Sequence, residues 1–83
     1  MGLMLNPARE VEVQVDAEGV PRRLRGDPLL GSLRPVLSWR AEVDWWERPV
    51  LREYWRALLQ DRLLLEIYHE LDSGRWFLER VFD

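Results

Sequence analysis

The 83-residue chain contains no cysteine, no lysine and no threonine, and only one histidine, His69. Without cysteine no disulfide can brace a domain this small, and no thiolate can hold a metal. A zinc site needs three or four ligands at workable spacing, and His69 with Asp72 supplies two. Besides tyrosine, hydroxyls come only from Ser32, Ser38 and Ser73, none of them in a nucleophile-elbow pattern. No glycine-rich loop is present to cradle phosphate. Glu42, Asp44 and Glu47 are candidates for acid–base work, but strand alternation sets Glu42 and Asp44 on one polar face, the ordinary place for solvated carboxylates. The expectation is a chain that is not an enzyme and carries no metal or cofactor. No apolar run approaches the ~20 residues of a membrane helix. No basic-then-apolar start marks a signal peptide, and Asn6 stands where a myristoylation site wants Ser or Thr. A cytoplasmic protein without a membrane partner is expected.

What the chain does have is nine aromatic residues, five of them tryptophan. Each large ring can bury ~150–250 Å², enough to help a single small domain spanning residues 1–83 build a core. All twelve basic residues are arginine, a composition of thermophile-like character. Net charge is −3, and it is uneven: residues 1–40 carry six Arg against five acids, residues 41–83 six against ten. Arg22, Arg23, Arg25, Arg34 and Arg40 form a candidate basic patch. With aromatic rings nearby, single-stranded nucleic acid is a second binding reading, since bases stack on rings and guanidinium groups track phosphates. The plainer reading is that these arginines solubilise an edge strand.

Residues 10–15 alternate strictly and predict a half-buried strand. Asp16-Ala17-Glu18-Gly19 is a turn cluster, and residues 20–25 return as a second strand, at an edge or irregular at its start because of Pro21. Residues 26–35, with two Gly and two Pro, read as a loop. Leu37, Trp39, Ala41, Val43 and Trp45 then alternate with Ser38, Arg40, Glu42 and Asp44, the clearest strand in the chain, ended by Trp46-Glu47-Arg48-Pro49. Residues 50–71 fit two patterns: a helical apolar stripe, or a hairpin of 52–59 and 63–71 joined by Gln60-Asp61-Arg62. Asp72-Ser73-Gly74 reads as a three-residue loop before a final strand over 75–82.

Arg52-Glu53-Tyr54-Trp55, Leu64-Leu65-Glu66-Ile67-Tyr68 and the closing Asp72-Ser73-Gly74-Arg75-Trp76-Phe77-Leu78-Glu79-Arg80-Val81-Phe82-Asp83 resemble a short bacterial domain of unknown function. That domain occurs as a small stand-alone protein or a C-terminal segment associated with Y-family-polymerase-like proteins of a mutagenic repair cassette. The match is best over residues 45–83. The family has Asp-Gly where this chain has Asp61-Arg62, which implies a hairpin over 50–71. The resemblance implies an accessory role in DNA repair or translesion synthesis, and no catalytic residues. The expected fold is mainly β, a small antiparallel meander or half-barrel of five or six strands, with α+β (50–71 helical) as the alternative.

The two three-residue loops fix a register: Leu59 opposite Leu63, Leu71 opposite Arg75, and so Arg56 facing Glu66 and Glu66 facing Arg80. One face then carries Trp55, Ala57, Leu59, Leu63, Leu65, Ile67, Leu71, Phe77 and Val81, interrupted only by His69 and Glu79, and should be the core. The other carries Tyr54, Arg56, Tyr68, Trp76, Arg80 and Phe82, with Leu58, Leu64, Glu66 and Leu78. Aromatics and arginine on a face that should be polar mark a binding surface. Its expected occupant is a protein partner, with residues 1–35 or a second copy in a homodimer as the alternative cover.

Overall fold

The computed structural model describes residues 2–45 and 48–82. The chain is all β: β1 (Gly2–Val15), β2 (Pro21–Gly26), β3 (Leu29–Trp45), β4 (Arg48–Leu59), β5 (Leu63–Glu70) and β6 (Trp76–Phe82). Each strand pairs antiparallel with the next, and β1 pairs with β6 to close a barrel. The helical alternative for residues 50–71 is thereby overturned. The apolar positions there serve β4 and β5 at a period of two, and a turn at Gln60-Asp61 reverses the chain between them.

The barrel interior is filled by Val11, Leu24, Leu33, Ala57, Leu59, Leu65, Ile67, Trp76 and Leu78. Burying a Leu- or Ile-sized side chain contributes ~1.5–3 kcal/mol, so these few residues supply most of the driving force. Gly26 lets β2 lie against β1: a Cβ there would sit 2.5 Å from Val11 Cγ1.

Several expectations need correction. The loop expected over 26–35 shrinks to Asp27-Pro28, and β3 starts at Leu29. Gly31 and Pro35 occupy special strand positions instead. Gly31 (φ 148) lies beneath the Gln60 side chain, and Pro35 sits at a bulge where β2 has already ended, so no ladder bond is lost there. β2 is not an edge strand, since it pairs with both β1 and β3, but its start is irregular at Val15↔Pro21 as Pro21 suggests. The expected strand end at Trp46-Glu47 lies outside the described residues, and Arg48 and Pro49 already belong to β4.

Four local details control which way side chains point. The β4–β5 connection leaves Leu59 opposite Leu63, as expected, and within it Gln60 (φ 56) and Asp61 (φ 54) are both left-handed, with Arg62 N–H donating to Leu59 C=O at 3.1 Å. It was expected to end with Arg62 left-handed, and Arg62 is not. The β5–β6 loop is one residue longer than expected: Glu70 N–H donates to Arg75 C=O, leaving Leu71-Asp72-Ser73-Gly74 as the loop, so Leu71 does not face Arg75. On β6, Glu79 is an extra residue between Leu78, opposite Ile67, and Arg80, opposite Glu66. A third extra residue, Val36, lies on β3 between Pro35, opposite Ala57, and Leu37, opposite Arg56.

Candidate interaction face

On the outside of the sheet formed by β3, β4, β5 and β6, residues at the same register level build rows across the strands. One row is Trp39, Tyr54, Tyr68 and Phe77, each directly opposite the next. Successive ring centroids lie 5.3, 5.2 and 5.2 Å apart, the spacing of favourable aromatic pairs. The next row is Leu37, Arg56, Glu66, Arg80 and Met4. The expected facing of Arg56 with Glu66, and of Glu66 with Arg80, holds.

Arginines roof this layer. Arg52 stacks over the Tyr68 ring at 4.3 Å and donates from Nη1 to the Tyr54 hydroxyl at 3.1 Å. Arg56 donates from Nε to Glu66 Oε1 at 3.1 Å and lies 5.5 Å from the Trp39 ring and 5.1 Å from the Phe82 ring. Arg80 lies 5.7 Å from the Phe82 ring. Under this roof Tyr54, Tyr68 and Glu66 are buried, although they point away from the barrel interior. A buried carboxylate needs a partner, and Arg56 supplies it. Burial, with the neighbouring Glu66 charge, pushes the Glu79 carboxyl above its usual range. Burial likewise raises the Tyr68 phenol, against the opposing pull of Arg52. Arg52 Nε is buried without a hydrogen-bond partner.

Of the six expected binding residues, the structure brings Tyr54, Arg56, Tyr68, Arg80 and Phe82 together on this outer face. It does not bring Trp76, which is buried in the barrel core beside Leu78. Phe77, expected inside, is on the outer face opposite Tyr68, and Glu79 joins it there. The physical reason is the longer β5–β6 loop, which shifts residues 75–78 by one against β5 and so exchanges their faces, until the extra residue Glu79 returns the register. Beyond the bulge, Val81 packs against the core and Arg80 and Phe82 point outward, as expected. Trp39 and Arg52 were missed. Arg52 sits two residues before Tyr54 and so shares its face, a signal present in the sequence. Trp39 required the β3–β4 register, set by the pairing of Trp45 with Arg48.

The candidates for chemistry are scattered. His69 stacks on Trp76, 4.4 Å between centroids at 2°. It lines a cleft of about 520 Å³ at the barrel mouth together with Arg40, Glu53 and Trp55. Asp72 is in the exposed β5–β6 loop. Glu42 is exposed on β3, while Glu47 and the side chain of Asp44 lie outside what the structure describes. Among the described residues no three of His, Cys, Asp or Glu are placed to hold a metal ion, and no helix is long and apolar enough to cross a membrane. Four of the five arginines of the basic cluster are matched by carboxylates: Arg22 with Asp16, Arg25 with Glu12, Arg34 with Asp61 and Arg40 with Glu53. Comparison with family models, curated proteins and solved structures finds no match.

Proposed function

We propose that this chain is a non-catalytic interaction module that takes a protein partner on the outer face of β3 to β6. The observation that carries this reading is the row from Leu37 to Met4. Its two ends are exposed apolar side chains, 45% and 52% accessible, and between them lie Arg56 and Arg80 with their flat faces near aromatic rings. Arginine and aromatic side chains are what protein-binding hot spots are enriched in, and exposed apolar groups beside them mark an interaction site. The resemblance of residues 45–83 supports a partner in DNA repair or translesion synthesis, with a Y-family-polymerase-like protein as the candidate. Single-stranded nucleic acid is the weaker reading, because four of the five arginines that could track phosphates are already paired with carboxylates and the chain is net acidic.

The test is co-purification from the native host with the wild-type chain and with a Met4→Asp/Arg80→Glu variant that folds. Recovery of a polymerase-like protein by the wild type and its loss by the variant is the expected result. Equal recovery by both chains removes this face from the interaction. A salt-sensitive shift of tryptophan fluorescence on adding an oligonucleotide transfers the reading to nucleic acid.

A further inference from the structure

β3 has two edges, and they are treated differently. One pairs with β4 along residues 33–45. The other pairs with β2 only from Leu29 to Ser32. Among the described residues, 33–45 therefore have no strand partner on the β2 side. Natural edge strands are protected by proline, bulges or charged side chains. Here proline and bulge stand at positions 35 and 36, and beyond them residues 37–43 carry only Arg40 and Glu42, two opposite charges that repel a strand of one sign but match a copy of themselves.

We infer that this free edge pairs antiparallel with the same edge of a second copy of this chain, about a two-fold axis at Ala41. A two-fold axis perpendicular to the sheet keeps each face on its own side, so the axis falls on a residue, and charge decides which. Centred on Arg40, the strand sets Arg40 against Arg40 of the second copy; centred on Glu42, it sets Glu42 against Glu42. Centred on Trp39, it leaves Glu42 opposite the bulge at Val36. Centred on Ala41, it sets Arg40 opposite Glu42 of the second copy, and Glu42 opposite Arg40 of the second copy. Trp39 then faces Val43 of the second copy on the outer side, an aromatic beside a β-branched residue, a favourable cross-strand pair. Both charged groups are available. Glu42 is exposed, and the Arg40 side chain is 64% accessible although its Nε bonds Glu53 at 3.3 Å, which leaves its terminal N–H groups for a second carboxylate. The pairing also covers part of the exposed Leu37 and the half-buried Trp39 and Val43.

This inference goes beyond the proposed function and uses residues of β3 that the Met4→Asp/Arg80→Glu test leaves intact. Sedimentation equilibrium on the full chain is the test, with circular dichroism to establish folding of each variant. The wild type should sediment at twice the 10.0 kDa of the chain. Arg40→Glu and Glu42→Arg, each alone, place like charges opposite one another and should weaken the dimer at least about tenfold, the scale of a like-charge juxtaposition at an interface. An equimolar mixture of the two should dimerise again, as a heterodimer, because each supplies the charge the other lacks. The double variant Arg40→Glu/Glu42→Arg should dimerise with itself. If Arg40→Glu fails to fold through loss of its bond to Glu53, Glu42→Arg and the double variant still decide the matter. A wild-type mass of 10.0 kDa at the highest reachable concentration, or a dimer indifferent to these exchanges, overturns the inference.

Discussion

The two halves of β3 present the same sequence pattern and opposite structures. Odd positions are apolar or small throughout: Leu29, Gly31, Leu33 and Pro35, then Leu37, Trp39, Ala41 and Val43. In the first half that stripe lines the barrel, with Leu33 only 4% accessible and Leu29 packed on the core. In the second half it lies on the outside, and Ser38 and Arg40 line the barrel mouth. The change happens at Val36, the extra residue. A uniform alternation can therefore serve core and surface in one strand, and a single inserted residue decides where the exchange falls.

The strongest way to break this contrast is to delete Val36. Strict alternation would then drive Leu37 and Trp39 inward against Trp55 and push Ser38 and Arg40 out. We expect loss of the native fold, a cost above the ~4–5 kcal/mol that marks exceptional mutations, seen as loss of the cooperative thermal transition. Next in size, Leu33→Ala should cost ~2–5 kcal/mol in denaturant unfolding as a buried truncation, whereas Leu37→Ala should fall within ~0.5 kcal/mol when measured at low chain concentration. Equal costs would mean the two halves are not distinct. Gly31→Ala should cost ~1–3 kcal/mol, because its φ of 148 suits no side chain and its Cβ would fall against the Gln60 amide.

The bulge on β6 offers a comparison by pH. The Glu79 carboxyl is raised by burial and by Glu66, so the folded state holds its proton more tightly than the unfolded state. Between the ordinary value of 4.5 and the raised one the folded state binds more protons. Stability should accordingly rise as pH falls through that window, and decline as pH rises through it. Glu79→Gln should flatten this slope in urea melts at a series of pH values. The smallest effect is at the β4–β5 turn. Asp61→Gly relieves a left-handed residue but loses an exposed ion pair with Arg34, for a net gain of ~0–1 kcal/mol. Arg62→Gly gains nothing, because Arg62 is not left-handed. A Tm increase for Arg62→Gly as large as that for Asp61→Gly would contradict the turn geometry.

Much of the C-terminal sheet was legible in the sequence because its hairpins are short and its strands alternate. The Arg56, Glu66, Arg80 row was reached from loop lengths alone, yet through two offsetting shifts. The loop before β6 is one residue longer than it looks, and Glu79 returns the register by one. Between those two points the expected faces are inverted, which is why Trp76 was placed on the binding face and Phe77 in the core. Nothing in the residue types of Val36 or Glu79 announces an extra residue, since bulges are set by how a barrel must coil and close and not by local preference. The first half of β3 was hidden for a different reason. Gly31 and Pro35 are loop residues by propensity and strand residues here, held by the Gln60 side chain and by a free edge.

The meander order has a kinetic consequence. Five of the six strand pairings join neighbours in the chain, so most contacts form by closing short loops. The sixth, Gly2 opposite Phe82, joins the two ends of the described chain and carries the largest closure entropy. The β4–β5–β6 hairpins, which already hold Leu65, Ile67 and Leu78 of the core, are the natural folding nucleus, and β1 should dock on β6 last. Substitutions at Leu5 should then change the unfolding rate while leaving the folding rate nearly alone, and Leu65→Ala should slow folding. Until β1 docks, β6 offers an open edge beside the arginine-roofed face, so the interval before closure is when this chain is most exposed to pairing with the wrong strand.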